Sequence, residues 1–123
     1  MKLNKPKHSL LRNGGYALEG FEDIVKNETS FKWQLFMLFV MGVISWSLPV
    51  SFSHSSILFL SLFIPVLAEV ANSAIERVVD LVTLDYNILA KQAKDVGATM
   101  VLLGLLITSL IWISVLIVAF DLL

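Results

Sequence analysis

The chain lacks several features that define common protein classes. It contains no cysteine among its 123 residues, which excludes disulfides, thiolate metal sites and a cysteine nucleophile. It also lacks the G-x-x-x-x-G-K-[ST] and G-x-G-x-x-G loops with which many soluble proteins bind nucleotide phosphates. From Trp33 to Ala68 there is no Asp, Glu, Lys or Arg. A long uncharged segment is therefore the first feature that the fold must accommodate.

The composition predicts an integral membrane protein. Apolar residues make up 57% of the chain, and the mean hydropathy is +0.82. Lys and Arg are absent from the segment 46–57 and after Lys94. By the positive-inside rule, the N-terminal arm and the segment 85–94 are cytoplasmic, which three membrane crossings satisfy. The mixed character of residues 1–30 argues against a cleavable signal peptide.

The pattern along the chain predicts one all-α membrane domain covering residues 1–123. Residues 1–27 form a basic cytoplasmic tail and an amphipathic surface helix, with a break at Gly14-Gly15. The predicted transmembrane helices cover about 29–48, 56–82 and 95–121, the second of them kinked at Pro65. The short polar segment VSFSHSS is expected to link the first two helices, and 83–90 is expected to form a turn or a short cytoplasmic extension.

The second predicted span carries a polar face within the membrane. At about 100° per residue, one side of this helix collects five polar residues, namely Glu69, Asn72, Ser73, Glu76 and Asp80. A charge near the bilayer centre costs about 2.5 to 3.5 kcal/mol even on the lenient insertion scale. Three carboxylates on one face require a metal ion, a lysine or a shared proton between them.

Two further polar clusters are expected at the same membrane depth, Asn27-Glu28 and Lys94-Asp95. Glu28 and Glu76 could share Mg²⁺ through oxygen ligands, and Lys94 could attract an anionic substrate. These groups suit phosphoryl transfer at a membrane surface. Because three crossings cannot surround so much polar surface, we expect a homo-oligomer.

Simpler interpretations of these residues stay open at this point. Glu69 and Glu76 could line an oligomer interface, Glu28 could be an ordinary first-turn carboxylate, and Lys94 could be an interfacial lysine. A small proton-linked transporter is a further hypothesis, because carboxylates inside a membrane often mark ion paths. A transporter, however, predicts charges throughout the bilayer depth, whereas these charges gather on the cytoplasmic side.

The run Glu69-Val-Ala-Asn-Ser-Ala-Ile-Glu76, with Asp80 and the later Ala-Lys94-Asp95, resembles the prokaryotic diacylglycerol kinases. Their pattern is E-x-x-N-[ST]-A-I-E-x-x-x-D followed by A-K-D. The resemblance implies a homotrimer in the bacterial inner membrane, with three transmembrane helices and a surface helix per subunit. It also implies transfer of the γ-phosphate of MgATP to a lipid hydroxyl at the cytoplasmic side, and no nucleic-acid partner.

The resemblance further implies roles for individual residues. Glu69 matches the catalytic base, with Asn72 beside it, and Glu28 and Glu76 match the metal ligands. The residues that match nucleotide-site positions are Tyr16, Glu28, Glu76, Asp85, Tyr86, Asn87, Lys94 and Asp95. Those that match lipid-substrate positions are Ser30, Phe31, Lys32, Trp33, Gln34, Glu69, Ala98 and Trp112. The implied substrate is diacylglycerol, with undecaprenol as the alternative within the family.

Overall fold

A computed structural model describes residues 9–122, which form five α-helices and contain no strand within that range. The helices are α1 (Leu10–Asn27), α2 (Thr29–Ser47), α3 (Phe52–Ser61), α4 (Phe63–Val82) and α5 (Ile88–Ala119). The all-helical prediction is therefore confirmed. The basic tail proposed for residues 1–8 lies outside the described residues.

Helix α1 is amphipathic and continuous, so the predicted break at Gly14-Gly15 is wrong. The two glycines lie on an exposed part of the helix, with open space where a side chain would be. Each costs about 1 kcal/mol relative to alanine, which packing elsewhere on the helix can offset. Ile24 is buried, and Phe21 packs edge-on against the buried Phe31 at 5.8 Å between ring centroids. These contacts hold α1 against α2.

Glu28 alone separates α1 from α2. Its backbone is extended, with φ −110° and ψ 110°, between two helical segments. The turn therefore changes the chain direction at a carboxylate-bearing residue. Helix α2 ends at Ser47, within one residue of the predicted boundary.

Helix α3 begins at Phe52, four residues before the predicted start of the second span. The segment was expected to be a polar link because it is rich in serine. Instead, the Ser51 hydroxyl accepts a hydrogen bond from the backbone N–H of His54 at 3.3 Å and caps the helix. The serine at position 51 therefore marks the N-terminus of a helix.

A break at Leu62 separates α3 from α4, which agrees with the predicted kink at Pro65. Proline has no N–H, so the Ser61 carbonyl loses the hydrogen bond that residue 65 would otherwise donate. The hydroxyl of Thr108 on α5 donates to this carbonyl at 2.9 Å. Gly104, one turn earlier on α5, lets the two backbones approach at Pro65. Helix α5 thus supplies the hydrogen bond that the proline removes.

Thr108→Val should destabilise the protein by about 1 to 2 kcal/mol, because it leaves the Ser61 carbonyl buried without its donor. Unfolding midpoints in detergent micelles measure this loss. The matched control is Thr99→Val, since the Thr99 hydroxyl donates only to the Asp95 carbonyl of its own helix. Equal losses in the two variants would show that the contact between helices contributes nothing.

Helix α5 begins at Ile88, seven residues before the predicted start of the third span and within the segment 83–90 that was predicted as a turn or a short cytoplasmic extension. The Asn87 side chain accepts hydrogen bonds from the backbone N–H groups of Leu89 and Ala90 at 2.9 and 3.3 Å. This cap starts the helix two turns earlier. The helix ends at Ala119, two residues before the predicted boundary.

The most extensive packing is between α4 and α5. Within the described residues, two helical stretches are long and apolar enough to cross a membrane, Phe52–Val82 and Ile88–Ala119. Helix α2 does not meet the same criterion. The third crossing, predicted at 29–48, stays a prediction.

Candidate active site

Three polar side chains of α4 are buried in the single chain. Glu69 is 7% exposed, and Asn72 and Ser73 are also buried. Glu76 is half-buried and Asp80 is exposed, so burial decreases along the polar face toward the end of α4. The prediction that these polar side chains share one face of the helix is confirmed.

Both oxygens of the Glu69 carboxylate accept hydrogen bonds from α2. The Ser30 hydroxyl donates to Oε1 at 2.5 Å, and the Gln34 side-chain amide donates to Oε2 at 3.3 Å. Ser30 and Gln34 are four residues apart and therefore share one face of α2. The resemblance assigned these two residues to the lipid substrate. In the structure both donate hydrogen bonds to the buried carboxylate of Glu69.

Asn72 links the buried part of the face to its exposed part. Its Nδ2 donates to Glu76 Oε1 at 3.2 Å. Its Oδ1 is buried and lacks a hydrogen-bond partner within the described residues. Gly97 of α5 lies directly against this oxygen, because a Cβ at position 97 would overlap it. The position of the Asn72 amide therefore depends on the absence of a side chain at Gly97.

Glu28 reaches α4 from the turn between α1 and α2. Its Oε1 accepts from the Ser73 hydroxyl at 2.9 Å and from Arg77 Nη2 at 3.4 Å. Arg77 Nη1 also forms an ion pair with Asp23 of α1. The predicted meeting of Glu28 with the α4 face is confirmed, and one guanidinium joins α1, the turn and α4.

The two lysines near the start of α5 are both paired. Lys94 Nζ donates to Asp80 Oδ1 at 2.6 Å and so connects α5 to the end of α4. Lys91 pairs with Asp95 at 2.5 Å across one turn of α5. Asp80 is thus the ion-pair partner of Lys94. Lys94 therefore lies at the same end of the molecule as Glu28 and Glu76.

An apolar groove of about 510 Å³ lies between α2, α4 and α5 and extends to the α3–α4 break. Gln34 lines the groove, so the amide that binds Glu69 also faces this space. Two buried polar atoms of the lining lack partners within the described residues, Gln34 Oε1 and Trp112 Nε1. Both atoms are closed off from the empty groove, whose lining is mainly apolar and also includes Thr108 and Ser109.

A protein-family model described as prokaryotic diacylglycerol kinase matches residues 15–116. The chain belongs to this family. The match includes all five polar positions of the α4 face together with Glu28 and Lys94. The resemblance drawn from the motif is therefore confirmed over most of the chain.

Three relatives named diacylglycerol kinase illustrate the similarity. The protein from Pseudomonas aeruginosa is 29% identical over 107 residues, covering 87% of this chain and 87% of its own length. The protein from Escherichia coli K12 is 29% identical over 103 residues, 84% of each chain. The protein from Helicobacter pylori 26695 is 31% identical over 97 residues, covering 79% of this chain and 76% of its own. The similarity thus extends over nearly the full length of each relative.

In this diacylglycerol kinase family member, the carboxylates of Glu28 and Glu76 are the predicted metal ligands. Glu28 and Glu76 both hydrogen-bond to the polar face of α4, through Ser73 and Asn72 respectively. Among the residues that the structure describes, no group of three or more His, Cys, Asp or Glu side chains could hold a metal ion. Two carboxylates completed by phosphate oxygens and water are the set that Mg²⁺ commonly uses. The residues present therefore fit a Mg²⁺ ion that arrives with a nucleotide.

Four residues assigned to the nucleotide by resemblance lie outside this hydrogen-bonded network. Tyr86 is 83% exposed, and Tyr16 on α1 is also exposed. Asp85 lies in the α4–α5 turn, where its backbone N–H donates to Thr83 Oγ1 at 3.1 Å. Asn87 caps α5. In the single chain, Asp85, Tyr86 and Asn87 form an exposed edge between α4 and α5, and the four residues do not form a closed pocket.

The residues assigned to the lipid divide into two groups. Trp33, Gln34 and Trp112 line the groove. Phe31 is fully buried against α1, and Lys32 donates to the Lys26 carbonyl at 3.1 Å. Ala98 is exposed and does not line the groove. The structure therefore brings only part of this set together around one space.

Arg77 and Asp23 are contacts that the sequence analysis missed. Arg77 follows Ser73 by four residues, which places it on the polar face, and it is the one basic residue between positions 33 and 90. Arg77 could have been singled out from the sequence, because it is a lone cationic residue beside three carboxylates. Its guanidinium pairs with Asp23 and Glu28, whereas the cation that pairs with a carboxylate of the polar face is Lys94, which binds Asp80.

Proposed function

We propose that this protein is a diacylglycerol kinase, an ATP-dependent lipid kinase. It transfers the γ-phosphate of MgATP to the free hydroxyl of diacylglycerol, giving phosphatidic acid and ADP, in the recycling of membrane lipid. Family membership and the names of the relatives support the reaction class. One structural observation carries the proposal: Gln34 both binds the buried Glu69 carboxylate and lines the apolar groove.

That adjacency supports Glu69 as the proton acceptor for a lipid bound in the groove. Glu69 accepts the proton of the lipid hydroxyl while the hydroxyl oxygen attacks the γ-phosphorus in line with the departing ADP oxygen. The new oxygen–phosphorus bond forms as the bond to ADP breaks. No phosphoenzyme is needed, and the proton leaves on Glu69.

The phosphate donor occupies the end of the molecule where α4 and α5 carry charge. Glu28 and Glu76 would hold Mg²⁺, and the ion would supply positive charge to neutralise the phosphates. Lys94 offsets the remaining charge after exchanging Asp80 for phosphate. Asp95 lies beside it. The exposed edge with Tyr16, Asp85, Tyr86 and Asn87 contacts the nucleoside.

The assembled enzyme is a homotrimer in the bacterial inner membrane. Each subunit crosses the bilayer three times, with α2 as the first crossing and α1 on the cytoplasmic surface. Paired Lys and Arg residues at one end of the helices support this orientation, because basic residues favour the cytoplasmic side. Neighbouring subunits cover the half of the polar face that the single chain leaves exposed.

The groove favours diacylglycerol over undecaprenol as the lipid. The Trp112 Nε1–H lacks a partner within the described residues and is closed off from the empty groove, so it can bond a lipid only if the indole turns when the lipid enters. Leaving such a donor unpaired costs about 1 to 3 kcal/mol. Diacylglycerol has ester carbonyls that can accept this bond, whereas a polyprenol has only its hydroxyl. The indole therefore distinguishes the two lipid classes.

The test measures ATP-dependent phosphorylation of three lipids in mixed micelles, with and without Mg²⁺. We expect kcat/KM to be about 10- to 100-fold higher for diacylglycerol than for undecaprenol or for a 1,2-dialkylglycerol, which lacks carbonyls. Trp112→Phe should remove most of the difference between ester and ether lipids. Preferential phosphorylation of undecaprenol would replace the proposed substrate, and transfer to none of the lipids would reject the kinase.

The transporter alternative receives less support from the structure. A proton path through the bilayer requires polar groups along its depth. Two of the polar residues of α5 beyond the charged end already hydrogen-bond to backbone carbonyls: Thr108 donates to that of Ser61 and Ser109 to that of Leu105. The described charges of α4 and α5 gather in 69–80 and 91–95, apart from the nearby Asp85 and from Asp121 beyond the opposite end of α5.

A further inference from the structure

We propose that Ser30 and Gln34 are positioning residues that orient the carboxylate of Glu69 for proton transfer. The inference rests on the proposed function, in which Glu69 accepts the lipid proton. It assigns Ser30 a role that differs from direct contact with the lipid. The assignment follows from which atoms each side chain touches.

The two side chains bind the two oxygens of one carboxylate. Ser30 Oγ is 2.5 Å from Oε1, and Gln34 Nε2 is 3.3 Å from Oε2. Both donors come from successive turns of α2, and the acceptor is buried on α4. A rotation of the carboxylate about its last side-chain bond would break both hydrogen bonds. The pair therefore fixes the plane of the carboxylate relative to α2.

Orientation matters because the angle and distance of a base control its rate. A terminal carboxylate torsion is broad, so an unsupported glutamate samples many orientations. Hydrogen bonds to an ionised group are stronger than those between neutral groups, so two of them hold a carboxylate firmly. A catalytic group held by such donors spends more of its time in the productive geometry.

Ser30 and Gln34 differ in their relation to the groove. Gln34 lines it, so Gln34 can act on the base and contact the lipid together. Ser30 does not line the groove. Its hydroxyl contacts the base and not the space proposed for the lipid, so Ser30 separates the positioning role from the lipid-binding role.

The experiment compares Ser30→Thr with Ser30→Val, two side chains of the same shape that differ in one hydroxyl. We expect Ser30→Thr to retain at least half of the wild-type kcat for diacylglycerol phosphorylation. Ser30→Val should lower kcat about tenfold, with KM for the lipid and for MgATP changed less than twofold. Because the variants match in shape, a packing defect would affect both equally.

Ser47→Ala is the control for loss of a hydroxyl on the same helix, since Ser47 donates only to the Val43 carbonyl within α2. It should leave kcat unchanged. A change confined to KM for the lipid would make Ser30 a lipid contact and overturn the inference, as would equal kcat in the Thr and Val variants. A wild-type protein that phosphorylates no lipid would instead reject the proposed function.

Discussion

Glu69→Gln should lower the rate of diacylglycerol phosphorylation by about 10³-fold, within the range expected for loss of a general base. The amide has the shape of the carboxylate and can still accept the hydrogen bond from Ser30, but it cannot take the lipid proton. Substrate binding is expected to change little, so the loss should appear in kcat. Steady-state assays in mixed micelles over a range of lipid and MgATP concentrations measure both parameters.

The control is Glu19→Gln, which makes the same change at an exposed position of α1. It should retain wild-type activity. The assembled size of each variant is measured by light scattering in detergent. If Glu69→Gln dissociates the oligomer or unfolds, Glu69 has a structural role at an interface. If it stays assembled and active, another group accepts the proton.

Gly97→Ala should both destabilise the protein and nearly inactivate it. The added methyl group would overlap Asn72 Oδ1 and lie about 3.4 Å from Asn72 Cγ. Asn72 is a short, buried side chain, so it can move only by giving up its hydrogen bond to Glu76. We expect a loss of about 1 to 3 kcal/mol from overpacking and a fall in kcat of about 100-fold from the misplaced carboxylate.

Gly20→Ala provides the matched control for this substitution. It places the same methyl group on a helix in open space, where alanine favours the helix by about 1 kcal/mol. Unfolding midpoints and kcat of the two variants can be compared directly. A Gly97→Ala variant with wild-type stability and activity would show that Asn72 has room to move and does not orient Glu76.

Much of the site could be predicted because helix periodicity is simple. Glu69, Asn72, Ser73 and Glu76 follow a spacing of three and four, which places them on one face whatever surrounds the helix. The depth of Glu28 and Lys94 relative to that face followed from the lengths of the neighbouring helices. Both residues do contact α4, through Ser73 and Asp80.

Helix boundaries were less predictable, because capping depends on side-chain geometry that composition does not specify. Asn87 was read as a nucleotide contact, yet it starts α5. The serine-rich segment after Pro49 was read as a link, yet Ser51 starts α3. Both residue types favour turns and helix N-termini equally, so only the structure distinguishes the two.

Contacts between helices also could not be predicted from the sequence. Nothing in the spacing of Ser30 or Gln34 indicates that they face Glu69, because the rotation of α2 about its axis depends on packing with α4 and α5. The pairing of Arg77 with both Asp23 and Glu28 depends likewise on where α1 rests. Periodicity defines the faces of each helix, whereas packing decides which faces meet.

The contact between Pro65 and Thr108 has a consequence for the evolution of this chain. The hydroxyl at 108 is needed because position 65 lacks an N–H, and Gly104 is needed because the backbones approach there. A substitution that restored the amide at 65 would remove the selective value of the other two. The three positions are 43 residues apart at their extremes (108 − 65). We therefore expect substitutions at the three positions to occur together among related chains.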